Sequence, residues 1–169
     1  LNAVSTEGWG ISKYLAYGNN IWLSGYGTGN PFQYTVSICG TTVDVYYHFR
    51  VYNNGCINLK NASVTDNLPA GATVAGVHTG WPTSAGNLIP STTGPGTVTW
   101  NVGNGINTLD VNTGAYDYYV HLTFPVSQLN TVKCNSATLN GTNVCTNAPK
   151  TSNSNTECIT LIGATPNTT

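Results

Sequence analysis

The stretch Val43-Asp44-Val45-Tyr46-Tyr47-His48-Phe49-Arg50-Val51-Tyr52 decides the fold class. Val43, Val45, Tyr47, Phe49 and Val51 are β-branched or aromatic, and Asp44, Tyr46, His48, Arg50 and Tyr52 alternate with them. A period of two places the first set on one face of a strand and the second on the other, so the strand is buried on one side and wet on the other. Asn53-Asn54-Gly55 follows, and Asn-Gly chemistry tolerates the positive φ of a tight turn.

Outward from this run the same alternation predicts strands over 32–38, 58–65, 73–78, 97–102, 116–124, 143–150 and 158–162. Turn signals separate them at Cys39-Gly40, Pro69-Ala70-Gly71, Gly94-Pro95-Gly96, Gly103-Asn104-Gly105, Asn140-Gly141 and Ser152-Asn153. Residues 79–96, rich in Gly, Pro, Ser and Thr, read as the longest loop. No stretch carries a helical period, and no internal repeat is found. Seven or eight short strands at this spacing predict an all-β, immunoglobulin-like antiparallel β-sandwich. The first 29 residues differ: Trp9, Tyr14, Tyr17, Trp22 and Tyr26 stand among Gly and Asn, and 12–17 and 20–24 read as a hairpin across Gly18-Asn19. The expected division is an extended N-terminal arm with a hairpin over 1–29 and the sandwich over 30–169.

The composition narrows the function classes. A chain of 169 residues buries about 70% of its unfolded surface and suits one domain. Charged residues make up 7% against a usual ~25%, while Asn, Thr, Gly and Ser fill 78 positions. The net charge of −1, with no basic block, argues against a nucleic-acid partner. No apolar run approaches the ~20 residues of a membrane span, and 40% hydrophobic content argues against disorder.

Five cysteines point to an oxidising, extracellular or cell-surface setting, and the start at Leu1 reads as that of a mature secreted product. Sequons at Asn61, Asn140 and Asn167 are candidate glycosylation sites in that setting. If the predicted strands alternate up and down, Cys39 and Cys56 sit at opposite ends of a ten-residue strand, roughly 33 Å apart and far beyond disulfide reach. The same count brings Cys39 to Cys158 and Cys134 to Cys145, leaving Cys56 free.

Val51-Tyr52-Asn53-Asn54-Gly55, Leu59 to Gly71, Val98-Thr99-Trp100-Asn101-Val102-Gly103, Tyr118 to Phe124 and Thr146-Asn147-Ala148 carry a resemblance. With the core Thr65-Asp66-Asn67-Leu68-Pro69-Ala70-Gly71, the chain resembles a conserved repeat domain, without assigned function, of bacterial and archaeal cell-surface proteins. The resemblance covers about two-thirds of the chain, from Val43 to about Ile162, and implies a surface-displayed sandwich. It leaves the N-terminal segment unexplained.

Titratable groups are too few and too scattered for an enzyme, and no cofactor or metal ligand set stands at ligand spacing. Asp66 reads as a cap of its own turn, and Gly71 as a positive-φ position. Residues 110–117 resemble a calcium loop only faintly and read as a β-connection. The leading expectation is a structural subunit of a pilus-like extracellular filament, a helical homopolymer of copies of itself. Residues 1–10 would insert into a neighbour's open sheet edge by donor-strand complementation, with Leu1, Ala3 and Trp9 filling pockets. The alternative is a monomeric secreted adhesive or carbohydrate-binding module for surface glycans, using exposed Trp and Tyr.

Overall fold

The computed structural model describes residues 6–17, 21–38, 40–103, 107–111 and 114–164. The strands are β1 (Trp9–Tyr17), β2 (Ile21–Leu23), β3 (Phe32–Val36), β4 (Thr42–Asn53), β5 (Leu59–Asn67), β6 (Thr73–His78), β7 (Leu88–Ile89), β8 (Thr92–Gly94), β9 (Thr97–Asn101), β10 (Ala115–Pro125), β11 (Val132–Asn143), β12 (Pro149–Asn153) and β13 (Glu157–Gly163). They form an immunoglobulin-like sandwich. One sheet has the order β2-β1-β4-β10-β6-β7, and the other β3-β13-β11-β5-β9-β8 with β12 added to β11. Neighbours are antiparallel except β3, which runs parallel to β13.

The decisive run lies in β4, the long central strand of the first sheet. Val43, Val45, Tyr47, Phe49 and Val51 are almost wholly shielded and meet Val64, Val98, Trp100, Leu139 and Leu161 of the second sheet in one apolar core. At roughly 25 cal/mol per Å² of buried apolar surface, this inner layer dominates the favourable side of folding. The turn at Pro69-Ala70-Gly71 forms as expected, with Ala72 N–H donating to the Pro69 carbonyl and Gly71 at φ +85°.

Three expectations are corrected. First, residues 6–10 are not a free arm. The Gly8 carbonyl accepts from Asn54 N–H, the Thr6 carbonyl accepts from Cys56 N–H, and the Trp9 indole donates 2.8 Å to the Ile57 carbonyl. Trp9 therefore serves its own domain, while Leu1 and Ala3 lie outside the described residues. The hairpin exists, β1 pairing β2, but β1 also pairs along its length with β4 and is a strand of the sandwich.

Second, Asn140-Gly141 is not a turn. The segment 132–143 is one strand that pairs with β5, with a register shift between Asn140 and Thr142. Glycine marks the bulge because a Cβ at Gly141 would stand 2.4 Å from Leu59 Cγ. The expected alternation is already broken before this strand, since β10 runs antiparallel to β4 where the count makes them parallel, and the extra strand then carries Cys134 and Cys145 to opposite ends and changes the disulfides. Cys134 on β11 lies directly opposite Cys158 on β13, Cα atoms 4.1 Å apart, and these two are bonded. The pairings Cys39–Cys158 and Cys134–Cys145 are thus replaced: Cys145 is free and exposed, as is Cys56, and Cys39 lies outside the described residues. On chain-entropy grounds the 134–158 bridge contributes about 3.5 kcal/mol.

Third, Asp66 does not cap a turn. It lies within β5, fully buried, 3.0 Å from the Nζ of Lys13, which is equally buried. The 79–96 loop carries the short strands β7 and β8. Gly141→Ala should destabilise the fold by about 1–3 kcal/mol, since the overpacked methyl must displace Leu59; denaturant unfolding with an unchanged slope would register it.

Candidate interaction surfaces

The outward residues of β4 meet those of β1 and β10 in register. Tyr14 stands opposite His48, His48 opposite Tyr119, Tyr46 opposite His121 and Arg50 opposite Asp117. Alternation therefore gathers on one face the rings that three strands turn away from the core. His48 stacks on Tyr119, centroids 4.8 Å apart and nearly parallel, and on Tyr14 at 5.4 Å. Trp22 of β2 covers His48 at 4.5 Å, and Trp81 meets Trp22 edge-on at 5.7 Å and Tyr46 at 5.3 Å. Tyr46 stacks on His121 at 4.4 Å. Trp22, Trp81, Tyr14 and Tyr46 remain half-exposed. The result is a continuous aromatic platform on the outer face of the first sheet.

Polar groups rim the platform. Asp117 takes 2.8 Å from His48 Nε2, and 3.0 and 3.3 Å from Arg50 Nε and Nη2; Asp44 lies 2.6 Å from His121 Nε2. Beside it, a cleft of about 630 Å³ opens between the edges of the two sheets, lined by Ile89, Pro90, Asn101, Asn107, Tyr116 and Asp117 among others. Flat rings with carboxylate, guanidinium and amide groups at their border can stack on an apolar ring face and hydrogen-bond hydroxyl groups. Among the described residues no three His, Cys, Asp or Glu side chains form a metal-binding group.

The poles of the sandwich form a second candidate surface. Thr6, Cys56 and Asn143 share one pole, tied by the Cys56–Thr6 backbone bond and by Asn143 Nδ2 donating 2.9 Å to Glu7. Val144 and the free thiols of Cys56 and Cys145 are exposed there. At the other pole Val36 pairs with Gly163, and the exposed side chains of Ile38 and Val132 lie at the same end. There the second edge of β3 pairs with no strand among the described residues.

The candidate glycosylation sites differ in access. Asn61 is exposed at φ +52°, whereas Asn140 is half-buried and accepts from Thr151; Asn167 lies outside the described residues. Of the four tryptophans, Trp100 is in the core at 2% exposure and Trp9 on its own chain, leaving Trp22 and Trp81 for contacts. The alternation in β4 predicts the outward set, but nothing local signals that Trp22 and Trp81 converge on it.

No protein-family model matches the chain, and no curated protein sequence matches it. Among solved structures it is similar to a non-cellulosomal cohesin from the hyperthermophilic archaeon Archaeoglobus fulgidus, at 11% identity and TM-score 0.46, over 90% of this chain and 91% of that one. It is also similar to the full-length major pilin SpaD of Corynebacterium diphtheriae, at 11% identity and TM-score 0.46, over 89% of this chain and 34% of that one. A third similarity, at 12% identity and TM-score 0.40, is to a GH20 exo-β-N-acetylglucosaminidase of Vibrio harveyi, over 95% of this chain and 19% of the enzyme.

Burial disfavours the charged ring of His48 and outweighs its hydrogen bond to Asp117, so its pKa lies below the ordinary 6.5. Burial raises the Asp117 carboxyl, but bonds from Arg50 and His48 together hold it below the ordinary 3.8. As pH falls below 6.5 the unfolded chain binds a proton that folded His48 resists, and below 3.8 the same holds for Asp117. Stability should therefore decline in two steps on acidification, each levelling off below the folded pKa. His48→Gln should weaken the first step and, by removing the imidazole that helps hold Asp117 down, shrink the second while Arg50 keeps part of it, read as the urea midpoint against pH.

Proposed function

We propose that this protein is a non-enzymatic extracellular subunit that assembles head to tail with copies of itself through its N-terminal segment. The observation that carries the reading is polarity. The chain enters the sandwich at Thr6, at one pole, while the edge of β3 that pairs with no strand among the described residues, with exposed Ile38 beside it, lies toward the other. An incoming strand on that edge would gain main-chain hydrogen bonds and pack beside Ile38. Because donor and acceptor surfaces differ, such a contact propagates instead of closing. The Cys134–Cys158 bridge and the low surface charge favour an oxidising compartment outside the cell.

The proposed donor segment lies before Thr6, since the backbone from Thr6 onward is bonded within its own domain. Removing residues 1–5 should leave a folded monomer with an unchanged unfolding midpoint that no longer assembles. Size exclusion and negative-stain microscopy read the result, and fibres of normal length from the truncated chain would refute the reading.

The aromatic platform favours a second reading, in which the outer face of the first sheet docks a neutral glycan. Titration with neutral oligosaccharides should then change tryptophan fluorescence, and Trp22→Ala and Trp81→Ala should each weaken binding at least tenfold. Unaltered fluorescence across the panel counts against this reading.

A further inference from the structure

The core holds a group of polar side chains that no surface function uses. Lys13 and Asp66 face each other across the two sheets at 3.0 Å, neither in contact with solvent. The Lys13 Nζ lies 4.2 Å from the centroid of the Tyr47 ring and 4.7 Å from that of Phe49. The second oxygen of Asp66 accepts from the Asn135 side-chain amide, 3.4 Å away, and Asn135 is itself 2% exposed. Among the described residues the Asn135 Oδ1 finds no donor. A fully buried ion pair is a poor source of net stability, and a buried carbonyl oxygen without a donor calls for a reason. One carboxylate thus bridges an amine and a carboxamide inside an aromatic enclosure closed to bulk solvent.

We propose that Lys13 and Asn135 condense into an internal amide bond that ties β1 of one sheet to β11 of the other, with Asp66 carrying the protons. Within the enclosure the ammonium proton passes to the Asp66 carboxylate, giving a neutral amine beside a carboxylic acid. Burial favours this neutral pair, lowering the Lys13 pKa to about 8 and raising that of Asp66. The Nζ lone pair then attacks Cγ of Asn135. Asp66 takes one proton from Nζ through Oδ1 and delivers its own to Nδ2 through Oδ2. The Cγ–Nδ2 bond breaks, ammonia leaves, and Asp66 ends as the acid it was. One C–N bond forms and one breaks; no oxidant, metal or co-reactant enters. Proximity supplies the acceleration, since a carboxamide is inert to a lysine free in water.

Trypsin separates the outcomes, because cleavage follows Lys13, Arg50, Lys60, Lys133 and Lys150. After reduction and removal of any glycans, the folded chain should be lighter than its sequence by one ammonia. Its digest should contain fragment 1–50, uncut at Lys13, joined to fragment 134–150. Succinimide formation at Asn54-Gly55, Asn104-Gly105 or Asn140-Gly141 also removes ammonia, so the joined pair, identified by fragmentation, is the deciding observation. Lys13→Arg, Asn135→Ala and Asp66→Ala should each abolish the joined pair. A digest cut at Lys13 with fragment 134–150 unattached overturns the proposal, as does fragment 1–50 joined to 61–133, the product of water loss between Lys13 and Asp66. Both readouts come from the unsubstituted protein, so they stand even where a variant misfolds. A folded Asp66→Ala that still forms the link would overturn the role given to Asp66.

Discussion

The pairing of Lys13 with Asp66 is the constraint on which the rest of the structure depends. Two opposite charges without water are tolerable only when each has the other within hydrogen-bond distance, and here they come from opposite sheets, β1 and β5. The pair holds only if the sheets close over it in one register, with Tyr47 and Phe49 of β4 shielding the ammonium. It also settles the status of the N-terminal region. A strand that carries the buried ammonium into the core cannot be a detachable arm, and the segment available for a neighbour shortens to the residues before Thr6.

The two faces of β4 divide the work of the molecule. The inner face supplies the apolar layer against Trp100 and Leu139, and the outer face, one residue out of phase, supplies Tyr46, His48 and Arg50 to the platform. A register slip of a single residue would exchange the two sets, burying Arg50 and Asp44 and exposing Phe49. The core and the platform are therefore specified together. The cross-strand pairs with β10 fix the partners, so that each basic or imidazole group outside meets a ring or a carboxylate.

Filament assembly and glycan docking draw on different parts of the sandwich and are compatible. Longitudinal contacts would use the poles and the β3 edge, leaving the outer face of the first sheet along the side of an assembled column. An internal amide between β1 and β11 would suit such a column, since pull from the N-terminal side, once past the bonds of residues 6–12, would pass through a covalent link to the second sheet instead of unzipping the rest of β1.

The fold class, the inward and outward sets of β4 and the turn at Pro69-Ala70-Gly71 are all legible in the sequence. Each depends on a period of two or on the φ preference of a single residue, which are properties of neighbours along the chain. Asn140-Gly141 misleads because glycine serves equally for a turn and for a bulge, and only the side chain of Leu59, 82 positions away, chooses between them. The direction count has by then already turned over, since β10 runs antiparallel to β4, and this strand sets Cys134 and Cys145 at opposite ends and so exchanges the disulfide partners. Asp66 misleads for a related reason: its short-range options resemble a turn cap, while its partner Lys13 is 53 positions distant. Tertiary structure alone decides the disulfide, the buried charge pair and the convergence of Trp22 and Trp81. Each joins residues from separate strands, and local pattern carries no information about which strands become neighbours.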